Sequence, residues 1–258
     1  MPKKRKQRNV TTIKTLSRQD QPFVTIVLIC DKPAHRMKSY GPTPLIELNK
    51  KKQKLIDQQV EIIKHAFENF EIIMCCGSDS YKIANYIYKK HSDINIRIIE
   101  NQIYQQSNSC ESLRICLNNT GNDNVLVISG YTKINKGLFR NFIFNESHVI
   151  ATKIFAKGFD VGLNVNKLDH AEHFSFGATL CWLETLFLRG DTIIQNLMKI
   201  ISQEEYKKKF IFESLNALIQ DNNKIKTKVI SNKRILKIDN ISIYNSLIKD
   251  KNHEICYR

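Results

Sequence analysis

The sequence predicts an α/β domain built on a mostly parallel open sheet that is flanked by helices. Short apolar runs rich in β-branched residues, such as FVTIVLIC at residues 23–30, are typical of strands covered on both faces. Segments with helical spacing of apolar residues alternate with these runs through the first half of the chain. Because parallel neighbours need a crossover between them, this alternation favours an open sheet with right-handed crossovers.

The first half of the chain carries the clearest pattern. The run at residues 23–30 is predicted to be the first and central strand. Ser78 or Asp79 is the predicted N-cap of a helix that reaches Lys90, because short polar side chains accept hydrogen bonds from the first turn. The other predicted strands are residues 71–76, 94–99 and 125–129, and the other predicted helices are residues 54–67 and 111–117.

The second half is less regular and completes the predicted domain organisation. Strands are expected at residues 147–154 and 162–165, helices at residues 177–188, 192–201 and 206–219, and a hairpin of residues 227–230 and 234–238. The sequence shows no internal repeat. We expect a basic flexible arm at residues 1–22, one α/β domain at residues 23–205, and a C-terminal extension at residues 206–258 that packs on the domain.

Composition and cysteine usage limit the class of protein. Hydrophobic residues make up 42% of the 258 residues and charged residues 25%, which excludes global disorder. The seven cysteines lack the regular spacing of a disulfide framework, and Cys75 and Cys76 are expected on opposite faces of a buried strand, where they cannot share a zinc ion. No apolar run is long enough for a membrane span and no signal peptide is visible. We expect a soluble, intracellular protein that is not secreted.

Charge indicates the class of partner. The chain has 40 Lys and Arg against 25 Asp and Glu, for a net charge of +15, which favours polyanionic partners such as nucleic acid or an acidic membrane surface. Three interpretations of the basic arm remain open: a nucleic-acid contact, a nuclear-localisation signal, or a solubilising end. The candidate nucleic-acid-binding residues of the arm are Lys3, Lys4, Arg5, Lys6 and Arg8.

Several motifs follow the predicted strands in a fixed order. Arg36-Met37 and a Pro-x-Pro-Leu segment at residues 42–45 follow the first strand, and a glycine follows both the second and the fourth. Asn-x-x-Tyr at residues 101–104 and Asn-x-x-x-Ser-Leu at residues 108–113 follow the third. In this order the motifs resemble those of the sugar-phosphate nucleotidyltransferases, especially the choline-phosphate cytidylyltransferase-like branch, over residues 23–190. The resemblance implies a Rossmann-like sheet of the GT-A type.

The resemblance also implies a set of site residues at the carboxyl ends of the strands, where such sheets bind ligands. Arg36 and Asp31 are the candidate catalytic residues. Arg36 would bind a phosphate unless it is a solvated or ion-paired surface residue. Asp31 is a candidate because it lies at the carboxyl end of the first strand, where it would hold a metal ion unless Lys32 neutralises it. Mg²⁺ and a nucleoside triphosphate are expected only if the protein is active. For Asn108 and Ser112, helix capping is the competing interpretation, and for Gly77 it is a simple turn glycine. The candidate nucleotide-binding residues are Gly77, Asn108, Ser112 and Gly130.

The chain departs from the family pattern at positions that matter for catalysis. Lys32 and Ala34 stand where the phosphate-binding loop of the family has glycines, and Pro33 removes a backbone donor. Thr43 replaces the lysine of the Pro-Lys-Pro-Leu motif, and Tyr131 follows Gly130 where the family has the aspartate that holds Mg²⁺. Together with these departures, the resemblance implies a protein that keeps the nucleotidyltransferase fold but is impaired in nucleotidyl transfer.

Two functions of different class follow from these observations. The first is a catalytically impaired nucleotidyltransferase-like protein that acts as a binding or assembly component, associated with other proteins, nucleic acid or a virion. The alternative is an active enzyme that activates a sugar phosphate or phosphocholine-like acceptor. A related glycosyltransferase is a third interpretation, although residues 129–132 offer no paired-carboxylate metal motif. The cluster of potential ligands at residues 169–173 is expected to be a polar loop rather than a metal site, and Trp182 is expected in the core.

Overall fold

The computed structural model describes residues 20–32, 36–49, 52–153, 160–230, 235–238 and 240–249. Residues 1–19 of the predicted basic arm and the predicted turn at residues 231–233 lie outside these ranges. The strands are β1 (Val24–Cys30), β2 (Phe70–Cys76), β3 (Ile96–Glu100), β4 (Asn124–Ser129), β5 (Thr132–Ile134), β6 (His148–Thr152), β7 (Val161–Val165), β8 (Ala171–Phe176), β9 (Leu180–Arg189), β10 (Lys226–Ile230) and β11 (Ile235–Lys237). The helices are α1 (Leu55–Ala66), α2 (Ser80–Lys90), α3 (Ser109–Leu117), α4 (Asp191–Ile201), α5 (Ile211–Gln220) and α6 (Ile241–Lys249).

The main sheet has the strand order β10-β6-β9-β4-β1-β2-β3, and β7 joins β9 to the edge strand β8. β1 pairs in parallel with both β2 and β4, and β2 pairs in parallel with β3. β9 is antiparallel to β4 and β6, while β10 is parallel to β6. The prediction of a mostly parallel α/β sheet with β1 in its interior is confirmed.

Two apolar layers explain why β1 is apolar at every position except Thr25. On one face, Val27 and Ile29 pack with residues of α3, α4 and α5. On the other face, Ile26 and Leu28 pack with residues of α1 and α2. Successive residues of a strand point to opposite faces, so both sets must be apolar. A smaller third cluster joins α6 and β11 to the segment that follows β1.

The predicted helix at residues 177–188 is wrong, because these residues lie mainly in β9. An apolar run such as LCWLETLFLR fits a buried strand or a buried helix equally well by periodicity alone. Pairing decides the outcome: β9 fills the gap between β4 and β6 and satisfies the backbone groups of both. Of the segment predicted as a polar loop at residues 169–173, only residues 169–170 lie in the turn before β8, and residues 171–173 are the first three residues of that strand.

The predicted C-terminal hairpin is also wrong. β10 pairs with β6 in the main sheet, whereas β11 pairs with β5 in a separate two-stranded sheet. Each strand therefore adds to a strand from the middle of the chain rather than to its sequence neighbour. The helix predicted at residues 206–219 is divided into a 3₁₀ turn at Glu204–Lys208 and α5.

Smaller features agree with the sequence. Cys75 belongs to one apolar layer and Cys76 to the other, and both are buried. Asp79 is the N-cap of α2, although its side chain accepts no capping hydrogen bond. No helix within the described ranges combines the length and the apolar character that crossing a bilayer requires.

Candidate functional site

A cavity of about 400 Å³ opens at the carboxyl ends of β1 and β4. Its walls come from five parts of the chain: the ends of these two strands, the start of α3, strands β7 to β9, the start of α5, and β11. Loops at the carboxyl ends of neighbouring parallel strands meet at one edge of the sheet, which is where such folds form binding sites. The predicted site residues that line the cavity are Asp31 and Asn108.

Asp31 follows β1 and is almost fully buried. Its Oδ2 accepts a hydrogen bond of 2.6 Å from the Ser112 hydroxyl, and Ser112 Oγ in turn accepts from the Asn101 amide at 3.0 Å. The pKa of Asp31 is raised by burial, and the Ser112 hydrogen bond and the nearby Lys32 only partly offset this effect. Asp31 and Ser112, predicted separately, are thus direct partners, and Ser112 is held inside the protein.

Tyr131 and Lys32 close the same end of the sheet. The Tyr131 hydroxyl accepts from the backbone N–H of Lys32 at 3.2 Å and donates to the backbone carbonyl of the same residue. The Lys32 ammonium donates to the Ser107 carbonyl at 2.7 Å, which ties the loop after β1 to the loop before α3. Burial raises the pKa of Tyr131 well above its ordinary value, so this phenol stays protonated.

Gly77 and Gly130 are explained by close packing. A Cβ atom at Gly77 would lie 2.3 Å from the Asp31 carbonyl oxygen and 2.6 Å from the ring of Tyr104. A Cβ atom at Gly130 would lie 2.2 Å from the Cys30 sulfur. Gly77 therefore lets two loops approach each other, and Gly130 lets the loop after β4 approach the end of β1; the space beside Gly77 is filled by Tyr104.

The remaining predicted residues have other roles. Asn108 is the N-cap of α3, since its side chain accepts from the Ser109 N–H at 3.0 Å. Arg36 is exposed with a positive φ of 58° and is absent from the described cavity lining. Thr43 is buried in a 3₁₀ turn.

Several cavity residues were not predicted as site residues. Lys237 of β11 pairs with Glu184 of β9 at 2.7 Å, and both line the cavity. Trp182, expected in the core, is buried and also forms part of the wall. Three phenylalanines also line the cavity, and the ring of Phe212 contacts those of Phe176 and Phe210. These residues come from separate elements, so no local spacing in the sequence could have joined them.

Comparison with solved structures gives the same architecture. CTP:phosphocholine cytidylyltransferase from Streptococcus pneumoniae matches with a TM-score of 0.73 at 16% identity, covering 87% of this chain and 97% of that chain. The inositol-1-phosphate CTP transferase from T. maritima matches with a TM-score of 0.68 at 12% identity, covering 90% and 98%. A nucleoside-diphosphate-sugar pyrophosphorylase from Vibrio cholerae matches with a TM-score of 0.67 at 13% identity, covering 87% and 99%.

The chain has the nucleotidyltransferase fold. The resemblance seen in the motifs is thereby confirmed at the level of the fold. No protein-family model matches the sequence, and the sequence search finds no matching curated protein.

The motif resemblance implies a Mg²⁺ ion near the end of β4, and the described side chains there do not fit one. A hard cation is held by carboxylate and carbonyl oxygens, but Tyr131 offers a protonated phenol already bonded to Lys32. Asp31 is bonded to Ser112, and Glu184 is paired with Lys237. Across the parts of the chain that the structure describes, no three His, Cys, Asp or Glu side chains gather as a metal site, residues 169–173 included.

Replacing Gly77 with alanine is expected to lower the free energy of unfolding by about 1–3 kcal/mol, because the new methyl group overlaps a backbone oxygen and an aromatic ring. The oxygen also accepts the Ser78 N–H at 3.1 Å, so it cannot move away without loss of that bond. Urea unfolding measures the effect. Gly121→Ala is the matched control, since nothing lies within 4 Å of its Cβ position, and its effect should stay within about 0.5 kcal/mol. Equal effects in the two variants would contradict this account.

Proposed function

We propose that this protein is a catalytically impaired member of the nucleotidyltransferase fold that acts as a binding or assembly component. The observation that carries the proposal is Tyr131. It follows β4, where the resemblance calls for a metal-binding aspartate, and its hydroxyl is bonded to both backbone groups of Lys32. The position that should recruit a metal ion is thus occupied by a neutral side chain that fastens the first loop.

The first loop supports the same proposal. In nucleotide-binding folds, backbone N–H groups of this loop approach the phosphates, which is why glycines are needed there. Here the Lys32 N–H already donates to Tyr131, and the Lys32 ammonium donates to Ser107. Donors that are hydrogen-bonded within the protein do not point at the charge that develops on a phosphate in the transition state. Removal of a single positioned donor costs about 10²–10³ in rate, so the loss of several groups is expected to reduce nucleotidyl transfer to background.

The start of α3 is closed in a similar way. The Ser109 N–H donates to the Asn108 side chain, and the Cys110 N–H donates to the Lys209 carbonyl. The Glu111 N–H donates to the Asn108 carbonyl. A helix N-terminus attracts phosphate through such N–H groups when they are free. Their use within the chain supports a cleft that no longer serves nucleotide chemistry.

Pyrophosphate release tests the proposal. CTP, UTP, ATP and GTP would each be supplied with Mg²⁺ and with phosphocholine, inositol 1-phosphate or glucose 1-phosphate as the acceptor. We expect release at the rate of the protein-free blank. Steady turnover would overturn the proposal. If that turnover were lost in Asp31→Asn but kept in Glu100→Gln, on the exposed end of β3, the alternative would be supported: an active enzyme in which Asp31 holds the metal ion.

The binding role that we propose involves a polyanion, most simply nucleic acid. The support is the net charge of +15 and the concentration of basic residues at the start of the chain. Contacts of lysine and arginine would be made mainly to phosphates and would carry little sequence preference. Other proteins of an assembly, including a virion, are further partners consistent with this role.

Salt dependence tests the polyanion proposal. Binding to a fluorescent single-stranded DNA would be measured by anisotropy at several salt concentrations. Log affinity falls as log salt rises. Replacing the five basic residues of the arm with glutamine should make this fall less steep by up to about 3.5, at about 0.7 for each phosphate contact on a single strand. The control is Lys89→Gln with Lys90→Gln, at the exposed end of α2. An unchanged slope in the arm variant, or binding that salt does not weaken, would refute the proposal.

A further inference from the structure

The cavity wall is mainly hydrocarbon. Ile29 of β1 and Val127 of β4 line it, together with Val161 of β7 and with Trp182 and Leu186 of β9. Water solvates the surface of these side chains poorly, so an apolar group that covers it lowers the free energy. A volume of about 400 Å³ lies within the ordinary range of pockets for small molecules, about 300–1,000 Å³.

The charges that line the cavity are matched within the protein. Among the described lining residues, two are acidic and two are basic, so the formal charge is zero. Lys237 is paired with Glu184 at 2.7 Å. The Lys32 ammonium donates a hydrogen bond to the Ser107 carbonyl at 2.7 Å, and the Asp31 carboxyl accepts one from the Ser112 hydroxyl at 2.6 Å. A phosphorylated ligand would have to break one of these contacts to gain a counter-charge, whereas an uncharged ligand would leave all of them in place.

The entrance of the cavity is aromatic. Phe176 and Phe210 line it and are about half exposed, with 55% and 49% of their surface accessible. Phe212 lies between them, with ring centroids 5.6 Å from Phe176 and 5.9 Å from Phe210. Large aromatic side chains left open to water in contact with an apolar cavity are typical of a binding entrance rather than of a folded core.

We propose that this cavity binds an uncharged small molecule with an aromatic or other apolar ring system, held between the hydrocarbon wall and the phenylalanines of the entrance. This inference rests on the proposed function in one respect: the cleft is free for such a ligand because it no longer carries out nucleotidyl transfer. Glu184, Lys237 and the Tyr131 hydroxyl stand at the polar side of the cavity, so one neutral polar substituent on the ring would be accommodated there.

The tryptophan of the wall provides a direct readout. Trp182 is the only tryptophan of the chain and is buried against the cavity. N-phenyl-1-naphthylamine is an uncharged aromatic probe whose absorption overlaps tryptophan emission. Titration of the full chain with this probe should quench Trp182 emission and produce sensitised probe emission at a stoichiometry of one. Absence of energy transfer, or many equivalent probes per chain, would overturn the inference.

Variants locate the probe. Val161→Phe places a larger side chain into the cavity and should weaken probe binding about tenfold or more, equal to about 1.4 kcal/mol. Phe176→Ala removes a half-exposed ring from the entrance, so it should weaken binding without unfolding the chain even if Val161→Phe fails to fold. Tyr81→Ala, which removes an exposed tyrosine on α2, is the matched control and should bind like the unmodified chain. Equal probe affinity in all three variants would contradict the assignment.

Competition separates this inference from the proposed function. Neither phosphocholine nor CTP with Mg²⁺ should displace the probe. Displacement by phosphocholine or by CTP would overturn the inference in favour of a charged ligand in the same cavity. The pyrophosphate assay is independent: turnover there would refute impaired catalysis, whereas failure of the probe to bind with no turnover would refute the apolar ligand and leave impaired catalysis standing.

Discussion

Phe67→Ala is expected to lower the free energy of unfolding by about 3–5 kcal/mol, the usual cost of removing a buried phenyl ring. Phe67 ends α1 and is fully buried. Its ring contacts those of Phe139, Phe142 and Phe144 at centroid distances of 5.1, 5.5 and 6.1 Å. Loss of these tilted and edge-to-face contacts adds to the cost of the cavity that is left. Urea unfolding at neutral pH measures the change.

The control for this prediction is Phe23→Ala. Phe23 precedes β1 and is 46% exposed, so its replacement should change stability by no more than about 0.5 kcal/mol. Because the Phe67 N–H still donates to the Ile63 carbonyl in the alanine variant, the end of α1 is retained and the effect reports packing. A loss below about 1 kcal/mol at Phe67 would show that the aromatic cluster relaxes into the space, contrary to this prediction.

Acid is expected to destabilise the protein through His148 by about 3 kcal/mol between pH 6.5 and pH 4. Burial is the largest cause of a His148 pKa of about 4, below its ordinary value of 6.5; nearby Lys228 lowers it further, and the Glu146 carbonyl partly opposes the shift. The unfolded chain binds a proton as the pH falls through 6.5, while the folded chain binds it only near pH 4. Stability is therefore complete above pH 6.5 and falls across this window by about 1.36 kcal/mol for each pH unit.

The surroundings of His148 explain why it stays neutral. Its ring packs against Phe142 and Phe187 at 5.0 and 5.4 Å, and its Nδ1 faces the Glu146 carbonyl at 3.2 Å. His148→Phe removes the titrating group and should flatten the decline in this window. His65→Gln, on the exposed face of α1, is the control and should keep the decline. Urea unfolding from pH 7 to pH 4 gives the measurement, and an equal decline in His148→Phe would contradict the prediction.

The first half of the fold could be predicted because its signals are local. β1, β2 and β4 are mainly apolar runs, since each strand is covered on both faces, and the helices between them show one apolar face. The strand-and-helix alternation then restricts the topology to a parallel sheet. The second half could not be predicted in this way, because β9, β10 and β11 pair with strands distant in sequence.

The sequence by itself determined that the chain resembles the nucleotidyltransferases and that the site lies at the carboxyl ends of the parallel strands. It also determined the departures from the family pattern at Lys32, Thr43 and Tyr131. Only the tertiary structure decided what those residues do. The Tyr131 hydroxyl meets Lys32 across 99 positions of sequence, and Lys237 meets Glu184 across 53. Hydrogen bonds and cavity walls depend on side chains that the folded sheet brings together from separate elements, and no local spacing records which of them will meet.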